Sequence, residues 1–211
     1  MTIMRLDVID GQPPTRRVRK ILQLLSSSIW LAWLVIFVPV PTRAGFKLLQ
    51  PHSQTKVERI DKFVAADAFK EGNRIGGRTL NAIGLNFREH FLGVVEQNVP
   101  EATLKGWTLL YDADDTSLID ALGGERNAAA LFLGHIYSLM EMGENGPSHV
   151  DWRSNFAYVR SPIDHRLWAV HWSMNYDNEW SIGAVLVPHP EIGWRSDSRL
   201  FTGMFMSVRL D

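Results

Sequence analysis

The residues best placed to do chemistry lie in WTLLYDADDTSLID, residues 107–120. Asp112, Asp114 and Thr116 alternate as the chain leaves an apolar run, and alternate residues at a strand end point the same way. Two carboxylates placed like this would sit beside one phosphate group and the magnesium ion that offsets its charge. The competing reading is an Asp-rich turn in which Asp115 or Thr116 caps a short helix. A calcium loop of the EF-hand type is excluded. Ser117 stands where its sharp turn needs Gly, and Gly123 stands where the bidentate Glu belongs.

An apolar strand ending in D-x-D-x-T resembles the first motif of the haloacid-dehalogenase-type phosphatases. The resemblance implies Asp112 as phosphate-accepting nucleophile, Asp114 as acid/base, Thr116 as a supporting residue, and magnesium as cofactor. It covers only these few residues. No lysine follows Lys105, whereas that family relies on a later lysine to stabilise the phosphoryl charge. The downstream segments also read as antiparallel strands instead of βαβ units. Outside this alternative, no cofactor is expected.

Seven histidines complete the list of potential ligands. His165 and His171 share parity on one strand, but six residues of strand separate them by roughly 20 Å. His149, near Asp151, and His189 are the others that folding could bring to them. None has H-E-x-x-H spacing, and all seven read most simply as hydrogen-bonded core or surface residues. There is no G-x-S-x-G, P-loop or dinucleotide glycine pattern. Aromatic residues crowd residues 152–194. Trp168, Trp172 and Trp180 share parity, so together they either fill a core or form an exposed surface that binds a protein, glycan or peptide.

Composition narrows the field. With 45% hydrophobic and 21% charged residues, the chain of 211 residues is that of a globular protein. Residues 45–211 carry 16 basic and 21 acidic side chains, so nucleic acid is not an expected partner. Absence of cysteine excludes disulfides, thiolate metal sites and cysteine nucleophiles.

The elements that must position these residues are read from periodicity. Thr55-x-x-Glu58 reads as a capping box opening a helix that runs to Gly72, and a second helix is expected from Thr79 to about Glu96. Gly84 and Gly93 weaken that second helix. Residues 106–111 read as a strand, 116–122 as a short helix, and 125–142 as the longest and most buried helix. Period-two alternation then predicts strands at 155–160, 166–175, 179–187 and 200–210, with short antiparallel links. The expected fold is α+β, with helices packed on one face of a mainly antiparallel sheet of four to five strands.

Residues 1–20 end in Arg16, Arg17, Arg19 and Lys20, and no charge then appears from Ile21 to Thr42. A basic end followed by an apolar helix is the layout of an export signal or membrane anchor. Residues 1–20 are therefore expected as a cytoplasmic tail and 21–44 as a signal peptide or transmembrane anchor. Residues 45–54 form a linker, and 55–211 a single domain on the periplasmic side. Thr42-Arg43-Ala44 offers small residues at the positions a cleavage site needs. The expected function is a non-catalytic binding or accessory component of an envelope protein assembly. The alternative is a periplasmic metal-dependent phosphohydrolase using Asp112 and Asp114.

Overall fold

A computed structural model of the protein describes residues 47–189 and 193–204. The tail and apolar segment of residues 1–44, and the last part of the strand expected at 200–210, lie outside the described residues. The elements are β1 (Leu49–Val57), β2 (Ile60–Val64), α1 (Ala65–Ala68), β3 (Arg74–Ile75), β4 (Arg78–Ile83) and α2 (Leu85–His90). There follow β5 (Val95–Val99), β6 (Ala102–Leu109), α3 (Asp115–Ala121), α4 (Glu125–Ala128) and α5 (Leu133–Glu141). The chain closes with β7 (Asn155–Arg160), β8 (Leu167–Met174), β9 (Trp180–Leu186) and β10 (Arg199–Met204).

Sheet dominates. Eight strands form one mixed sheet in the order β1-β6-β10-β7-β8-β9-β4-β3, and β2 pairs with β5 in a separate ribbon. The pairs β10–β7 and β4–β9 are parallel; the other strand pairs are antiparallel. This overturns the expected α+β layout with helices on one face of a four- to five-stranded sheet. The predicted helix from Thr55 is mostly strand: Thr55, Lys56 and Val57 pair with Leu104, Thr103 and Ala102 of β6. Only Ala65–Ala68 of that region is helical. The expected helix from Thr79 is β4, the six-residue α2 and β5. It breaks at Gly84, which is extended at φ −62° and ψ 151°. A four-residue match to helical spacing is weak evidence, and pairing with a distant strand satisfies the same backbone groups.

The expected long helix at 125–142 is also divided, into α4 and α5. Between them the chain crosses β10 so closely that a Cβ at Gly203 would lie 2.5 Å from the Ala130 carbonyl oxygen. Among the described residues no helix is long and apolar enough to cross a membrane. The strands β7, β8 and β9 lie where alternation places them, each with a neighbouring strand on either side.

Both faces of the sheet are buried. Trp168, Val170, Trp172 and Met174 of β8 join Trp180 and Ile182 of β9 in one core, beneath β2, β5, α1, α2 and α5. Leu167 and Ala169 face the other way, with Phe156, Tyr158, Leu109 and Leu200, against α3, α4 and Trp194. Glu96 of β5 ties α5 down over the first core. Its two carboxylate oxygens accept the Leu133 and Gly134 amides at 2.8 and 2.9 Å. These amides open α5 and have no partner inside the helix.

Replacing Glu96 removes that cap. Glu96→Ala is expected to lower the unfolding free energy by about 1–2 kcal/mol. Glu96→Gln, which keeps one acceptor, should lose less. Urea unfolding of the two variants and the parent measures both, and an unchanged midpoint in Glu96→Ala would remove the cap from the account.

Candidate functional site

The region read as chemical in the sequence folds around a buried acid, and that acid is Asp115. Asp115 is only 2% exposed. Its Oδ1 accepts the Tyr158 hydroxyl at 2.9 Å and the Trp194 indole N–H at 2.8 Å. Its Oδ2 accepts the His189 amide at 3.2 Å. Burial, reinforced by the Asp115 carboxylate, pushes the Tyr158 phenol far above the ordinary tyrosine range. Trp194 also lies flat on Phe156 of β7, with ring centroids 3.8 Å apart. The indole is thus fixed by its ring face and by its polar edge.

The neighbouring acids do other work. Asp114 caps α3, accepting the Ser117 amide at 2.7 Å. Asp112 is exposed, and its Oδ1 accepts the Ser196 amide at 2.7 Å. Thr116 is exposed in the first turn of α3. Between the two capping acids, Ala113 and Trp194 exchange backbone hydrogen bonds at 2.9 and 2.8 Å. The loop after β6 is therefore stitched to residues 194–196. Among the described residues no group of three or more His, Asp or Glu side chains could hold a metal ion.

Trp168, Trp172 and Trp180 are 4%, 0% and 0% exposed and belong to the first core. Trp180 donates to the Ile75 carbonyl and Trp168 to the Asp164 carboxylate. Exposed aromatic side chains lie elsewhere: Trp152 is 62% exposed, Tyr176 94% and Tyr111 53%.

Trp152 and Asp112 both line an open cleft of about 660 Å³ on the second face of the sheet. That volume is in the range of small-molecule sites. The cleft also meets His171 of β8, Val185 of β9, Arg153 to Ser154, and the turn of residues 193–198. Three anchors hold that turn. The Asp197 amide donates to the Leu109 carbonyl at 2.8 Å, and the Leu109 amide donates to the Ser198 carbonyl at 2.9 Å. The His149 Nε2 donates to the Asp197 carbonyl at 2.9 Å. The loop bearing Trp152 is held by Asn155, whose amide group spans the His149 N–H and the carbonyls of His149 and Trp172.

His171 is the group that sequence spacing placed but could not assign. Its cross-strand partner is Gly183, where a Cβ would lie 2.6 Å from the His171 Nε2. Glycine is the residue that leaves the ring its space. Burial pushes the His171 imidazole below its ordinary value. Arg153 stands over the Trp152 ring at 5.8 Å and pairs with Asp151 at 3.6 Å. Arg153 and Arg195 are not singled out in the sequence, and Asp115 is read there only as a helix cap. A signal for Asp115 was available, since buried Tyr and Trp tips need an acceptor. No protein-family model, curated protein or solved structure matches the chain.

Two measurements follow from this geometry. Asp115→Asn puts an amide donor opposite one of three buried donors, and the expected loss is about 2–3 kcal/mol of stability with a changed near-UV signal from Trp194. Retention of both would show that the acid does not hold the indole. Acid should also destabilise the domain through His135, His149 and His171, all lowered from 6.5 chiefly by burial. Their stabilisation is complete above the unfolded value of 6.5 and is lost as the pH falls toward their folded values. Glu96, raised from 4.5 by burial, acts in the opposite sense and gains stability as the pH falls toward 4.5. A urea midpoint lower at mildly acidic pH than at neutral pH is expected, and a flat profile down to the carboxylate range contradicts it.

Proposed function

We propose that this chain is an exported or inner-membrane-anchored bacterial envelope protein whose sheet domain binds a ligand in the cleft beside Trp152. It acts there as a non-catalytic component of a protein assembly. The observation that carries the reading is the cleft itself. It gathers a largely exposed tryptophan and two arginines on loops cross-braced to the sheet, with a histidine of β8. Small-molecule sites have this make-up, with an apolar or aromatic wall and a few fixed polar groups. The basic residues before Ile21 and the uncharged run to Thr42 support the compartment and orientation. The phosphohydrolase alternative would use Asp112 and Asp114, which accept the Ser196 and Ser117 amides respectively.

The test is fractionation in a Gram-negative host, with protease added to intact spheroplasts. Digestion of the domain from residue 45 onward, in a membrane-bound or processed chain, is the expected result. A full-length soluble chain protected from protease would overturn the location. Magnesium-dependent hydrolysis of p-nitrophenyl phosphate that disappears in Asp112→Asn would overturn the non-catalytic role.

A further inference from the structure

We propose that the cleft takes an anionic ring compound, its carboxylate or phosphate group held by Arg195 and Arg153 and its ring laid on Trp152. This rests on the reading of the cleft as a binding site and names the ligand class. The cleft holds charges of both signs, so commitment, not number, decides which remain available. Asp112 already accepts the Ser196 amide at 2.7 Å. Asp151, beside the cleft, accepts the Arg153 amide at 2.9 Å and faces the His149 Nδ1 at 3.8 Å. Asp197 also lines the cleft and is exposed. Arg195, by contrast, is exposed in the cleft with no side-chain hydrogen bond or ion pair to any described residue. Arg153 has only the 3.6 Å contact to Asp151 and the face of Trp152. Behind them the Nε of Arg199 is buried without a partner among the described residues.

Guanidinium groups with unused donors match the paired oxygens of a carboxylate or phosphate. His171 adds a ring nitrogen on the cleft's sheet side without a hydrogen bond among the described residues, so it too has a donor or acceptor to offer. Gly183 lies across the strand from His171 and the edge of Trp194 is 6.2 Å away between centroids, while Val185, Asp112, Arg153, Arg195 and Asp197 line the same cleft. Trp152 supplies an apolar plane beside this polar set, and a ring lying on it completes the complement.

The experiment uses the full chain in neutral detergent, titrated with four sugars that differ in charge on one ring. Glucuronate and glucose 6-phosphate are anionic, glucose is neutral and glucosamine is cationic, and binding is followed by calorimetry. Either anion is expected to bind at least about tenfold more tightly than glucose or glucosamine, the worth of one charge-assisted hydrogen bond. Preference between the two anions separates a carboxylate ligand from a phosphate ligand. Arg195→Ala is expected to remove the preference for the anions, and Trp152→Ala to weaken all four sugars. Equal binding of all four, lost in Trp152→Ala, overturns the anion assignment and leaves the cleft a binding site. Binding unaffected by either substitution, or none by any sugar, overturns both.

Discussion

The placement of β10 is the constraint on which the rest of the structure depends. β10 lies between β6, which it meets antiparallel, and β7, which it meets parallel. Without it the β1–β6 pair and the β7–β8–β9 meander would be separate sheets with open edges. Its side chains serve both layers. Phe201 enters the first core and stacks on Trp172 with centroids 5.6 Å apart, while Leu200 enters the second. The parallel pairing is possible only because β8 and β9 intervene in sequence between β7 and β10, and a parallel neighbour needs a long connection. Gly203 makes room for the Ala130 carbonyl above it, which explains why the chain is not helical there. An interior strand that joins two parts of the sheet is thus one of the last in sequence, and the sheet is completed by contacts distant along the chain.

The cleft inherits its geometry from the start of the same strand. The Arg199 amide donates to the Ser154 carbonyl at 3.0 Å, so the loop carrying Trp152 and Arg153 hangs from the first residue of β10. The turn carrying Arg195 is the segment just before it, bonded to Leu109 at the end of β6. Asp115 then sets the height of Trp194 by holding its indole against Phe156. A buried carboxylate is costly unless its oxygens are fully used. Here three donors meet it, so the same hydrogen bonds that offset its burial also fix one wall of the cleft.

What could be read in the sequence follows from how local each element is. β7, β8 and β9 are buried strands joined by short links, so their alternation and parity predicted both their extents and the two faces of β8. β1, with the sequence LQPHSQTKV, is a polar edge strand with an irregular register after Pro51, and its inward positions Ser53 and Thr55 are polar, so no apolar alternation marks it. Its pairing is written in β6, not in itself. The region around Val57, Ile60 and Val64 has helical spacing by accident of two strands meeting at a turn. The site was legible only as far as composition reached. The acidic turn was recognised, and a helix cap within it was foreseen, but the cap is Asp114 and the buried acid is Asp115. Which of four neighbouring residues turns inward depends on Tyr158 and Trp194, which arrive from strands and turns far along the chain.

The buried His135 and His149 and the half-buried His171 differ in a way that separates structural from available groups. His135 uses both ring nitrogens: Nε2 donates to the Pro100 carbonyl at 2.9 Å, and Nδ1 accepts the Phe132 amide at 3.4 Å. His149 donates to Asp197 and stands near Asp151. His171 has neither kind of partner among the described residues, although leaving a polar group unsatisfied costs roughly 1–3 kcal/mol. The core is not free of such groups, since the Trp172 Nε1 is also buried without a partner and lies away from the cleft. The difference is access. Trp172 is sealed within the first core, while His171 opens onto a cleft that Gly183 shapes around its ring. An unmet hydrogen-bonding group in a sealed core is a loss with no return. The same group at the base of an open cleft is paired whenever a ligand, or water in its absence, reaches it.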